Sequence, residues 1–417
     1  MASKRRNMFQ KNKTQETTEE VAGRLPAERK GPAMDKRVLL LLLLLFAASG
    51  TSISVFLDFP NLSVQDVACG IRDARQECST ASTEYSGMKP CRGQVIFEDQ
   101  FDKLDLTKWT RSIRISGQDH EFVTYEDDER NSYVENGRLV IRPIVLNDDF
   151  VKTGRINLIR CTSDNILDCR KTAKFALILP PIKSAQLCTN KSFNFTYGQV
   201  TVRAKLPKGD WIIPEISLKP AREKYGPGYL SGKFTVASSF GSDMVKPTGQ
   251  NMGSRMLTSG IFVATNEQPS NKVKARLVLS NATNPWYETF HEYSLRWTPD
   301  SISFDKDGKK ETTRRVVFDA SRGDSIYSVM GFQSGPNPWE NGSPIAPFDT
   351  EFYICLGVSV GGHYGIPDGS IASGFEKPWK NFDTKALLKF WLAKDQWARS
   401  WSDESKLEVD YVKVTAV

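Results

Sequence analysis

From Gln94 onward the chain is cut into short runs whose side chains alternate apolar and polar, or stay apolar for a few residues, between Gly, Pro and Asn punctuation. The clearest are VIFEDQF, GRLVIRPI, YGQVTVRAKL, KARLVLS, EYSLRW, SISFDKDGKK, EFYICLGVSV and KLEVDYVKVTAV. A period of two places successive side chains on opposite faces, so each run can bury one face of a strand. Hardly any stretch repeats every 3.6 residues, which leaves few helices able to cover a core. The pattern predicts an all-β sandwich of two antiparallel sheets. A chain of 417 residues has room for one large β domain or two ordinary ones, and no internal repeat is visible.

Residues 1–37 hold ten Lys/Arg against five Asp/Glu and are expected to be disordered. The whole chain carries +7, so the other residues carry only about +2. That is no basic stripe for phosphate, and nucleic acid is excluded as a partner. Val38 to Phe46 is VLLLLLLLF, preceded by Asp35-Lys36-Arg37 and followed by Ala47, Ala48, Ser49 and Gly50. This has the charged, apolar and small-residue parts of a signal peptide. The alternative is a type II anchor, since residues 38–57 contain no charge and are long enough to span a bilayer. Either way the body lies outside the cytoplasm. Residues 58–92 are expected to be a linker with Cys69, Cys78 and Cys91, and residues 93–417 the β domain.

Seven cysteines leave at least one thiol unpaired within a monomer. Cys161 and Cys169 bound a polar segment, CTSDNILDC, and are expected to close a short disulfide loop. N-x-S/T triplets at Asn61, Asn190, Asn194, Asn281 and Asn341 join the cysteines in favouring an oxidising, secretory setting. His120, His291 and His363 are the only histidines, and none has metal-ligand spacing to Cys or a carboxylate, so neither a metal nor a cofactor is expected. No G-x-S-x-G elbow supports a serine nucleophile. The acidic run Glu126 to Arg130 is expected to be a solvated turn.

Four segments, in order, resemble glycoside hydrolase family sixteen, the laminarinase-like β-jelly-roll enzymes. They are Tyr197 to Ile216, His291 to Gly308, Asn337 to Gly362 and the C-terminal FWLAKDQWARSW…LEVDYVKV. The Cys161–Cys169 loop and the LPPIKSAQL after it more narrowly resemble the arthropod β-1,3-glucan recognition or Gram-negative bacteria-binding branch. Active members of the enzyme family carry G-E-x-D-x-x-E on one strand. Two residues apart on a strand share a face, and a bulge restores parity for the third. Two carboxyl groups about 5–5.5 Å apart then permit a retaining mechanism. The matching segment here is Ser231 to Gly241, SGKFTVASSFG, held in register by Gly232 and Gly241. It puts Lys233 at the nucleophile position, Thr235 at the helper position and Ser238 at the acid/base position. A lysine cannot replace an anionic nucleophile, because its charge opposes the oxocarbenium-like state.

Where the family often has W-P-A-I-W-M-L-P, this chain has Ile213 to Pro220, IPEISLKP. By alternation Trp211, Ile213, Glu215 and Ser217 share one face, and Ile212, Pro214, Ile216 and Leu218 the apolar one. Glu215 and Lys233 then face each other across neighbouring strands and are expected to form an ion pair. The resemblance adds Asn131, Trp211, Trp286 and Trp339 to Glu215, Lys233 and Ser238 as ligand contacts. Members of the branch usually carry a further N-terminal glucan-binding module, for which residues 51–92 are too short. The resemblance implies a non-catalytic pattern-recognition protein for microbial β-1,3-glucan or a related surface glycan, with immune signalling proteins as partners. The competing readings are a hydrolase with relocated carboxylates (Glu215, Asp210 or Glu223) and a protein-interaction module with no glycan ligand.

Overall fold

In the computed structural model, residues 78–417 are described apart from 118–119, 266–272, 309–313, 333–335 and 364. Residues 38–57, Asn61 and Cys69 lie outside the described residues. The alternation seen in the sequence becomes two large antiparallel sheets. One has eight strands. Arg315–Asp319, Ser301–Lys306, His291–Trp297, Gly198–Lys205, Leu407–Thr415, Arg138–Ile141 and Ser132–Glu135 run in that order, and Val95–Asp99 also pairs with Leu407–Thr415. The other has seven, in the order Lys274–Asn281, Met256–Val263, Lys233–Ser238, Ile212–Pro220, Phe352–Val360, Gln186–Cys188 and Thr110–Arg111. This is the sandwich of antiparallel sheets expected from the runs, in the jelly-roll form that the family resemblance implies.

The two inner faces meet in one core. Gly198–Lys205 alternates buried and half-buried along its whole length, sending Val200 and Val202 inward. Opposite them, Ile216, Leu218, Phe234, Ile354 and Leu356 come from the seven-stranded sheet. Phe234 sits at the centre, with ring centroids 4.5 Å from Phe348, 5.1 Å from Phe352 and 5.3 Å from Trp297. Such side chains each contribute about 1.5–3 kcal/mol on burial.

Among the described residues three disulfides are formed. Cys161–Cys169 closes the short loop as expected. Cys188–Cys355 joins two directly opposed residues of adjacent strands. Cys78–Cys91 lies in the segment expected to be a linker. That expectation does not fit the described half of the segment. Ala81 and Thr83 are buried, the Ser82 amide donates to the Val417 carbonyl at 2.6 Å, and Glu84 bridges to Thr196. Small side chains and a disulfide let this stretch pack on the sandwich. Among the described residues no helix is long and apolar enough to cross a membrane.

Candidate functional site

The outer side of the seven-stranded sheet carries the polar residues that the alternation sends away from the core. On Ile212–Pro220, the side chains of Ile212, Pro214, Ile216 and Leu218 are buried while Ile213, Glu215 and Lys219 are half-buried. On Lys233–Ser238 the half-buried residues are Lys233, Thr235 and Ser238. Thr235 pairs with Gly260 and Ser238 with Thr258, so Val236 and Ala237 are taken up against one partner residue. That bulge turns Ser238 to the same side as Lys233 and Thr235, as the spacing requires. Gly232, at φ +78°, and Gly241 fix the ends of this segment. A Cβ on Gly232 would meet the Phe348 ring at 2.8 Å, and one on Gly241 would meet the Gly209 carbonyl at 2.5 Å.

Glu215 is the hub. Its carboxylate lies 3.3 Å from the Lys233 ammonium on the neighbouring strand, so the cross-strand pair forms. Lys219, which sequence reasoning missed, lies closer still at 2.9 Å. Ser217 donates to the same oxygen at 2.9 Å, and the Gln186 amide donates to the other. Gln186 and Glu215 both pair with Gly357, one from each side, and no side chain stands between them. The Ser112 hydroxyl and the Arg114 guanidinium donate to the Gln186 side-chain oxygen Oε1 at 2.8 and 3.2 Å. Burial alone would raise the Glu215 carboxyl, yet the Lys219 and Lys233 ammoniums outweigh it and hold the group well below the usual carboxylate range. Burial lowers the Lys219 ammonium, with Glu215 opposing the shift. Tyr353 is half-buried on the same face, and burial followed by Glu215 raises its phenol.

Ser238 donates to the Pro214 carbonyl at 3.1 Å, which occupies its hydroxyl hydrogen. The two other carboxylates considered for catalysis are held by different segments. Asp210 is buried and accepts from Ser373 at 2.7 Å, while Glu223 accepts from the Gly228 amide at 2.9 Å in an exposed loop.

The structure turns the remaining expected contacts inward. Trp211, at φ +63°, leaves the strand alternation, and its buried ring meets Trp379 edge-on at 5.2 Å. Trp286 is buried, donates to the Arg255 carbonyl at 3.2 Å and has the Lys306 ammonium 4.5 Å from its ring centroid. Trp339 is buried and donates to the Leu230 carbonyl at 2.7 Å. Asn131 is fully buried, its amide donating to the Arg142 and Lys183 carbonyls at 2.8 and 3.1 Å. The indole N–H groups of Trp286 and Trp339 and the Asn131 amide N–H groups have found backbone carbonyls inside the fold, which is how such donors are stabilised when buried. The acidic run is not simply solvated either. Asp127 bridges Arg111 and Arg160, and Lys183 reaches Glu126 at 2.9 Å.

Comparison with known proteins gives consistent relatives, although no family model matches the chain. The β-1,3-glucan-binding protein of Tenebrio molitor is 35% identical over 356 residues, covering 82% of this chain and 69% of that protein. β-1,3-glucan-binding protein 1 of Manduca sexta is 37% identical over 346 residues, covering 78% and 66%. Gram-negative bacteria-binding protein 1 of Drosophila melanogaster is 34% identical over 382 residues, covering 87% and 72%. Among solved structures, the laminarinase from Rhodothermus marinus matches with a TM-score of 0.48 at 19% identity, over 78% of this chain and 97% of that one. With about a third of its residues shared over most of its length, the chain belongs to the arthropod family of β-1,3-glucan-binding and Gram-negative bacteria-binding proteins.

Proposed function

We propose that this protein recognises β-1,3-glucan or a related microbial surface glycan in innate immunity, and that it does so without cleaving it. The observation that carries the reading is the Glu215 cluster. A retaining glycosidase needs one carboxylate free to attack and a second free to exchange a proton. The family resemblance puts Lys233, Thr235 and Ser238 at the positions of the carboxylates, and the Glu215 carboxylate on the same face is neutralised by two ammoniums. The polar row of Gln186, Glu215, Lys233 and Ser238, with Tyr353 beside it, offers hydrogen bonds and one aromatic face to a sugar. The names of the relatives support glucan as the ligand class and Gram-negative surfaces as its setting.

The same reading places the β domain outside the cytoplasm, delivered by residues 38–57 either as a cleaved signal peptide or as a type II anchor. Three disulfides fit that compartment. Immune signalling proteins would then respond to the glycan-bound form. The test is a pair of measurements on purified protein. Retention on curdlan, set against chitin and peptidoglycan, should exceed a bead-only control. Reducing-sugar release from laminarin should stay at the level of a mock preparation. Release above that level restores the hydrolase reading, and retention on none of the three leaves the protein-interaction reading.

A further inference from the structure

Beside the sandwich, residues 147–180 form a small lobe with its own apolar centre. The helix Asp148–Thr153, capped by Asn147, leads into a hairpin of Arg155–Asn157 with Arg170–Thr172. Ile156, Ala173 and Leu179 pack inward with Ile115. Cys161–Cys169 closes the far end of the hairpin. The outward side is unusually apolar for a surface. Ile159 is 93% exposed, Leu167 73%, Phe175 102% and Leu177 65%, with Ile166 also exposed. Phe175 is held at φ +51° in the tight turn between Lys174 and Leu177, a conformation unfavourable for a bulky side chain, and its ring gains no packing in return.

Ile159, Ile166 and Leu167 lie at one end of the hairpin, and Phe175 and Leu177 at the other, about 10 Å away by strand rise. Because Ile156 points inward, its neighbours Arg155 and Asn157 point outward, and Arg170 is exposed opposite them. The stretch from Arg155 to Leu177 holds five Arg/Lys against two Asp. Fully exposed aliphatic and aromatic side chains flanking exposed basic ones match the two layers of a lipid–water boundary.

We propose that this outer side of the lobe docks on an anionic lipid bilayer, with Ile159, Leu167 and Phe175 entering the acyl boundary and Arg155 and Arg170 meeting lipid phosphates. The disulfide and the small apolar centre hold the surface ready, so little order is lost on docking. The proposal does not rest on the glycan reading.

Hydrogen exchange of the intact chain tests it locally, because residues 1–37 and 38–57 could themselves attract vesicles. Vesicles of phosphatidylcholine alone are compared with vesicles containing phosphatidylglycerol. Amides within residues 155–177 should slow about tenfold with the anionic vesicles and stay unchanged with the neutral ones. The variants I159D/L167D and R155E/R170E alter exposed side chains, should unfold at the wild-type temperature, and should each remove that local protection. Equal exchange with both vesicles, protection confined to other segments, or protection that survives both variants overturns the proposal. So does a dimer seen by light scattering without vesicles and lost in the same variants, which would assign the surface to a second copy of the chain.

Discussion

Lys219 and Glu215 stand four residues apart on one strand, yet their charged ends meet at 2.9 Å. With Lys233 at 3.3 Å from the adjacent strand, one carboxylate is shared by two ammoniums on a largely buried surface. Removing the shared partner should therefore cost more than removing either lysine. Glu215→Gln leaves two ammoniums facing each other and should lower unfolding stability by about 3 kcal/mol. Lys233→Met keeps the Lys219 pair and should cost about 1 kcal/mol or less. Urea denaturation of both single variants and the double variant gives the coupling. Equal stability of Glu215→Gln and wild type would remove the cluster from the account of this face.

The same cluster sets an acid limit. The folded Glu215 carboxyl titrates below its ordinary value of 4.5. A depressed carboxyl contributes stability that is fully present above the unfolded value and is lost as pH falls through the folded one. Wild type should therefore lose stability faster than Glu215→Gln as pH drops below about 4.5. Thermal melts of the two proteins across that window should converge towards acid. Parallel curves would show that Glu215 contributes nothing to the slope.

Packing separates two aromatic residues that sequence alone would treat alike. Trp339 is buried with its indole N–H satisfied, so Trp339→Ala should destabilise the domain by about 3–5 kcal/mol. Tyr353 is half-buried on the outer face, so Tyr353→Ser should cost far less stability and weaken retention on curdlan by about tenfold. A Tyr353→Ser protein that binds like wild type would move the glycan contact elsewhere.

Asn190, Asn281 and Asn341 are exposed, and Asn194 is half-buried. Protein made through the secretory route should carry sugar at the exposed three. An N-glycosidase should sharpen and lower its band, and the triple Asn→Gln variant should no longer shift. A wild-type band that does not move would contradict secretory passage.

Ile212 to Leu218 shows how far the sequence could be read. Strict alternation predicted which side chains face the core, and the bulge needed to align Lys233, Thr235 and Ser238 is present. The Lys233–Glu215 pair followed from that parity. Lys219 did not, because reach along one strand depends on side-chain length rather than on neighbouring positions. Trp211 escaped prediction because its positive φ breaks the two-residue period just before the strand begins. Asn131, Trp286 and Trp339 stand in polar or turn-rich sequence, and only the fold supplies the backbone carbonyls that take their N–H groups inside. Cys188 and Cys355 are 167 residues apart, a pairing that local pattern cannot show.

Leu407–Thr415 occupies the middle of the eight-stranded sheet, between Gly198–Lys205 and Arg138–Ile141. During synthesis those two strands leave the ribosome long before the strand that joins them. Until it arrives, each presents an unpaired edge and an apolar face, a state open to aggregation. The decisive step in folding of this domain therefore waits until Leu407–Thr415 has been made. A frameshift just upstream of Leu407 would remove the joining strand and leave two half-sheets, harming the protein more than many substitutions on the Glu215 face.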